Sequence, residues 1–187
     1  MASILNVDQI NNAAGTSAVT IDPSTGKPSF PNGATLPAGS VIQVQSYVGM
    51  TSFTTSSGSY VKCTNLQVNI TPLSASSKIL VIVNAIAFPG TYTRYLYQTI
   101  FRTVGGVDTD ISGTTSASGN DRSGLTYFYD SGTSVTRQNV SLQFVDSPAT
   151  TSQITYSPAV RIGSDSHTIT FGQTNLGNTI IAMEIAQ

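Results

Sequence analysis

The sequence predicts an all-β protein, an antiparallel jelly-roll or β-sandwich head carrying an extended N-terminal stem. Three observations predict it. Charged residues make up 9% of the 187 residues, and Glu184 is the only glutamate; ordinary soluble domains carry about 25% charge. Helix surfaces need Glu, Lys, Leu and Ala, so a helical bundle is excluded. Ser and Thr number 51, and Val, Ile, Tyr and Phe are plentiful, a mixture that fits a pleated, half-buried surface. Finally, short segments of period-2 alternation recur from Val41 onward with turn residues between them, the spacing of a sandwich or jelly roll.

Residues 1–40 differ from the rest. They hold Pro23, Pro28, Pro31 and Pro37, half of the eight prolines. Only short extended pieces fit there: Leu5–Ile10, Ala18–Asp22 and Pro28–Phe30. Asp22-Pro23-Ser24-Thr25-Gly26 is a strong turn signal. A segment so rich in turns closes no core of its own. It reads as a stem or attachment segment, with a boundary near Pro37–Ser40.

Residues 41–187 read as the head. Strands are expected at Val41–Val48, Ser59–Ile70, Lys78–Phe88, Tyr92–Val104, Leu125–Tyr129, Arg137–Asp146, Gln153–Ile162, His167–Phe171 and Thr179–Ala186. In Arg137–Asp146, Val140, Leu142 and Phe144 share one face. In Gln153–Ile162, Ile154, Tyr156, Val160 and Ile162 do the same, which is a sheet with one buried face. Ile79–Val83 is apolar at every position, so it is a strand buried on both faces, central in a sheet or at a subunit interface. Gly105–Gly124 reads as the longest irregular segment and Asp130–Thr136 as a second polar loop; loops of such length are usually functional or disordered.

Charge and cysteine content exclude several classes. The net charge is −1 and no block of like charge occurs, so there is no nucleic-acid footprint. Cys63 is the single cysteine, which excludes an internal disulfide and a multi-cysteine zinc site. The opening MASILNVDQINNAAG lacks the regions of a secretory signal. Ile79–Val83 is far shorter than a membrane span, and no membrane insertion is expected. A nearly neutral, weakly charged surface favours association, so an obligate assembly is expected, a homotrimer.

No motif for catalysis emerges. His167, the only histidine, alternates with Ile169 and Phe171 and reads as a core or interface residue. Neither G-x-S-x-G nor H-E-x-x-H occurs. Glu184 lies among apolar neighbours and is expected to pair with Arg94, Arg102 or Arg161. A glycosidase needs two facing carboxylates, and no such dyad can be placed. The chain is therefore expected not to be an enzyme, with no catalytic residue, metal or cofactor. Asp108-Thr109-Asp110-Ile111-Ser112-Gly113 matches the opening of a calcium loop, but Gly119 stands where its glutamate belongs, and a solvated turn is expected. The sequons at Asn69 and Asn139 fall in or at the ends of strands and read as accidental.

Aromatic residues and polar loops supply the binding candidates. Tyr95, Tyr97 and Phe101 share a face with Thr91, Thr93, Thr99 and Thr103, and Tyr127 with Tyr129 forms another aromatic pair. Such faces stack on sugars or pack at subunit interfaces. Tyr95, Tyr97, Phe101 and His167 are the trimer-interface candidates. Asp108, Asp110, Asn120, Asp121, Arg122 and Tyr127 are the receptor-contact candidates, since loops on a rigid sheet carry binding.

The opening SILNVDQINNAAGTSAVTID, followed by Ser29-Phe30-Pro31-Asn32-Gly33, resembles the N-termini of bacteriophage tail-fibre proteins, notably those of cyanobacterial and marine phages. Leu36-Pro37-Ala38-Gly39-Ser40-Val41-Ile42-Gln43-Val44 is similar to that group. So are Ile70-Thr71-Pro72, Ser76-Ser77-Lys78-Ile79-Leu80-Val81 and the ending Ile180 to Ala186. The resemblance implies a non-enzymatic homotrimeric virion protein, made in the host cytoplasm. Its N-terminal stem would join other virion proteins of the tail or baseplate, and its β-sandwich head would contact a host-surface glycan or protein. A capsid decoration protein with an extended N-terminal arm is the closest rival, and a carbohydrate-processing enzyme a more distant one.

Overall fold

The computed structural model describes residues 8–29, 36–90, 94–112, 124–130, 136–163 and 167–187, and none of them is α-helical. The chain divides into two units, residues 1–37 and 38–187. In the first, β1 (Gln9–Asn11), β2 (Ser17–Ile21) and β3 (Pro28–Ser29) form an antiparallel meander. Short polar side chains make its turns. Asn12 Oδ1 accepts the N–H groups of Ala14 and Thr16 at 3.0 and 2.9 Å. Asp22 Oδ1 accepts from Ser24 Oγ, Ser24 N and Thr25 N at 2.6, 2.8 and 3.0 Å, at the turn expected from the sequence. These hydrogen bonds hold the Asp22 carboxyl below its ordinary value. No described residue of this unit is buried, so local turn chemistry stands in for a core.

The second unit is a β-sandwich. Its strands are β4 (Val41–Gly49), β5 (Phe53–Thr55), β6 (Val61–Lys62), β7 (Val68–Ile70), β8 (Lys78–Pro89), β9 (Arg94–Val104), β10 (Val107–Asp110), β11 (Thr126–Asp130), β12 (Gln138–Asp146), β13 (Ile154–Ile162), β14 (Ile169–Phe171) and β15 (Asn178–Ile185). They make two six-stranded antiparallel sheets. In sheet I the long strands β9 and β13 pair along their length. β10 and β11 share the far edge of β9, and β6 and β7 share the far edge of β13. In sheet II, β8 pairs with β12 on one side and with β15 and β14 on the other. β4 lies beyond β15 and β5 beyond β14.

Alternation assigns the inner faces. Ile79, Val81, Val83, Ala85 and Ala87 of β8 face Leu96 and Ile100 of β9 and Ile154, Tyr156, Val160 and Ile162 of β13 in one core. Leu80 and Ile82 point the other way and are only half-buried. The all-apolar run is thus central in its sheet, with one side sunk in the core and the other on the outer surface.

The strands depart from the sequence expectation in three places. The stretch expected as one strand over Ser59–Ile70 breaks into β6 and β7. The gap falls opposite Ser157 and Pro158, and Pro158 offers no N–H to that edge; its carbonyl instead accepts the N–H of Cys63 at 2.8 Å. The first part of Gly105–Gly124, expected to be irregular, is a β9–β10 hairpin closed by Gly105 and Gly106, both at positive φ (56° and 83°). β5 was not expected at all.

Two buried polar groups brace the sandwich. Arg102 of β9 pairs with Asp146 of β12 at 2.9 Å, and Tyr156 donates to the same carboxylate at 2.7 Å. Burial, then that hydrogen bond, push the Tyr156 phenol up. Glu184 is fully buried, yet its partners are not arginines. It accepts from the Gln43 amide and from the backbone N–H groups of Leu73 and Ser74 at 2.8 and 3.3 Å. The expected arginine partner is thereby replaced by N–H groups of the chain entering β8. Burial alone would raise the Glu184 pKa; these hydrogen bonds outweigh it and lower it.

Candidate functional site

The register of sheet I gathers the aromatic residues that the sequence places in two separate groups. β11 pairs with β9 so that Tyr127 sits beside Tyr97 and Tyr129 beside Tyr95. On the outer face, the rings of Tyr95, Tyr97 and Tyr127 lie 5.9–6.1 Å apart. The Arg161 guanidinium, from β13, lies 3.9 Å from the Tyr97 ring centroid and 5.4 Å from that of Tyr60, a cation–π geometry. Tyr60 also packs against Phe101 at 6.2 Å. Tyr97 is 3% exposed, so its ring is engaged within the subunit and offers little surface to another chain. Tyr95 remains on the surface and Phe101 is half-buried. Arg161 was weighed in the sequence only as a partner for Glu184; strand pairing, invisible in the sequence, puts it under the tyrosines.

Asp108 and Asp110 lie on β10, on the outer face of the same sheet. Asp108 accepts from Lys62 Nζ at 2.7 Å and from Thr103 Oγ1 at 2.6 Å, which holds its carboxyl low. Lys62 belongs to β6, so this ion pair reaches across β13 and β9 from one edge position of the sheet to the other. Asp110 Oδ1 accepts from Thr99 Oγ1, Ser112 Oγ and Ser112 N at 2.6, 2.7 and 2.9 Å. Both carboxylates are therefore engaged in tying the hairpin to its sheet. Among the described residues, no group of three or more His, Cys, Asp or Glu side chains is placed to hold a metal ion. Asn120, Asp121 and Arg122 lie outside the described residues. His167 precedes β14 and is half-buried.

At the edge of the sandwich where β11 and β12 lie opposite one another, a polar depression of about 170 Å³ opens. Gln98, Thr126 and Tyr127 line it from sheet I, and Gln138 to Ser141 from sheet II. Gln98 faces the interior between the sheets and is 1% exposed, and its Oε1 has no hydrogen-bond donor among the described residues.

The outer face of sheet II is mixed, with one fully apolar row. Val44, Met183, Leu80 and Val145 stand in one row across β4, β15, β8 and β12. The next row is Ser46, Ile181, Ile82 and Gln143. Val44 is 52% exposed and Val145 49%. Lys78, at the end of β8, is the only charged side chain on this face among the described residues of those strands. Four strand positions about 4.8 Å apart and roughly eight residues long make a face of roughly 500 Å² in plan.

No family model matches the chain, and no curated protein sequence matches it. Among solved structures, it is similar to a chain in the structure of infectious bursal disease virus, Gt strain, at 12% identity and a TM-score of 0.35. The match covers 91% of this chain and 42% of that one, so the chain spans less than half the length of the protein it matches.

Proposed function

We propose that the chain is a non-enzymatic structural protein of a phage virion, a homotrimeric tail fibre. Residues 1–40 join it to the tail or baseplate, and the sandwich of residues 41–187 meets the host surface. The observation that carries the reading is the outer face of sheet II. A nearly neutral chain that presents Val44, Leu80, Met183 and Val145 in one row on an outer face, with Val44 and Val145 exposed, is built to be covered. Around a threefold axis each copy turns the same face toward the other two. The face is on the scale of the roughly 800 Å² that one partner contributes to a specific interface. The tail-fibre position rests on the opening motifs of the sequence.

Native mass spectrometry of the full chain tests the assembly. A trimer is expected, and Leu80→Asp with Met183→Asp should convert it to a folded monomer. A wild-type monomer at micromolar concentration overturns the reading. A density map of the whole virion tests the position: density at the tail supports the fibre, and density on the capsid shell makes the chain a decoration protein instead.

A further inference from the structure

The four long strands of sheet II lie in the order β4, β15, β8, β12, each antiparallel to the next. β4 and β12 are therefore opposite edges of the sheet, and they run in opposite directions. Among the described residues, no strand pairs with the free side of either. Natural proteins blunt such edges with proline, lysine or a covering segment, because unpaired N–H and C=O groups recruit other strands. β4 holds neither proline nor charge, and Val44 to Val48 are all exposed. β12 holds no proline, and its only charged residue, Asp146, is buried against Arg102.

The geometry points to these edges as the two halves of one joint: β4 of each copy pairs with β12 of the next around a threefold axis. This inference rests on the trimer proposed above and names how its copies are joined. Three relations select a second copy as the occupant. The edges match in length, at nine residues each. Rotation about an axis along the strands preserves their direction, so the opposed edges of one sheet meet as an antiparallel pair. Finally, the row Val44, Met183, Leu80, Val145 crosses the sheet level. Val44 thus meets Val145 of the next copy, Ser46 meets Gln143 and Tyr47 meets Leu142. Successive pairs in a row alternate between hydrogen-bonded and non-hydrogen-bonded, and an even number of strands carries that alternation across the joint unbroken. A contact of this heterologous kind closes into a ring, which leaves sheet II without long free edges. Tyr47, 47% exposed in the single copy, gains Leu142 opposite and Phe144 diagonally.

Ser46→Cys and Gln143→Cys, together and singly in the full chain, test the joint. Both residues are exposed on the outer face, so stability should stay within about 0.5 kcal/mol. Within one copy they stand three strand spacings apart, roughly 14 Å, beyond the reach of a disulfide. Across the joint they are opposite one another, about 5 Å apart. Cys63 is buried and stays out of the exchange. After mild oxidation the double variant should run as a covalent trimer on a non-reducing denaturing gel, and each single variant as a monomer. If native mass spectrometry shows a trimer and the double variant gives no cross-link, the edge pairing is overturned and the trimer stands. Cross-linking by Ser46→Cys alone also overturns it, because β4 then meets β4 about a twofold axis. A monomeric wild-type chain overturns both readings.

Discussion

Arg102 and Asp146 join the two sheets of the sandwich through a contact in which Nη1 lies 2.9 and 3.0 Å from the two carboxylate oxygens. Tyr156 completes the carboxylate's environment from β13. Removing one partner leaves the other charge poorly solvated, so Arg102→Met should cost about 3 kcal/mol. Tyr156→Phe deletes a single charge-assisted hydrogen bond and should cost about 1.5 kcal/mol. Urea titrations of both variants check the order.

The pH dependence of stability should carry the mark of Glu184. Its pKa is lowered in the folded chain, so the native state binds this proton less readily than the unfolded chain does. The stabilisation is complete above the unfolded carboxylate value of about 4.3 and is lost as pH falls through the lower folded value. Glu184→Gln should therefore flatten the fall in melting temperature below about pH 4.3 relative to wild type. Thermal melts from neutral to acidic pH measure it.

Gly124 tolerates no side chain. Its φ is 110°, and a Cβ there would fall on the Tyr60 hydroxyl and 2.7 Å from the Gln98 carbonyl oxygen. Gly124→Ala should cost about 2–3 kcal/mol and alter tyrosine fluorescence as Tyr60 moves. Gly58→Ala, where nothing lies within 4 Å of the added carbon, should be nearly silent.

The Lys62–Asp108 pair is partly exposed. Lys62→Met should cost under about 1 kcal/mol, and the difference from wild type should shrink in high salt. Denaturation at two ionic strengths distinguishes this from the salt-insensitive loss expected at Arg102.

On the proposed tail-fibre reading, replacing Asp121 and Arg122, in the polar segment before β11, by alanine should reduce virion adsorption to host cells and leave stability within about 0.5 kcal/mol. Unchanged adsorption, also after the segment is shortened, would move the receptor contact elsewhere.

Long alternating strands were legible in the sequence. β8, β12, β13 and β15 fall within one or two residues of their expected limits, because a half-buried sheet prints its period directly. β10 was missed although Val104-Gly105-Gly106-Val107 carries a hairpin signal; the serines and glycines that follow made the whole stretch read as loop. The break between β6 and β7 is set by a proline on the neighbouring strand, some ninety positions away. The same non-locality hid the tyrosine–arginine cluster, which exists only once β11 finds its register on β9. The donors to Glu184 are largely backbone groups, which no residue identity announces. Ile79–Val83 was expected to be buried on both faces; Ile79, Val81 and Val83 are, on the inner side, while Leu80 and Ile82 on the outer side are only half-buried.

The two ends of the β10–β11 connection hang from one strand. Ile111 donates to the carbonyl of Ile100, and Leu125 to that of Gln98, two residues along β9. Chain leaves and re-enters the sheet almost at the same point, so the sandwich is indifferent to what is spliced between. Doubling the length of such a closed stretch costs only about 0.6 kcal/mol. A change of length between Ile111 and Leu125 is therefore expected to leave both sheets of the described residues in register.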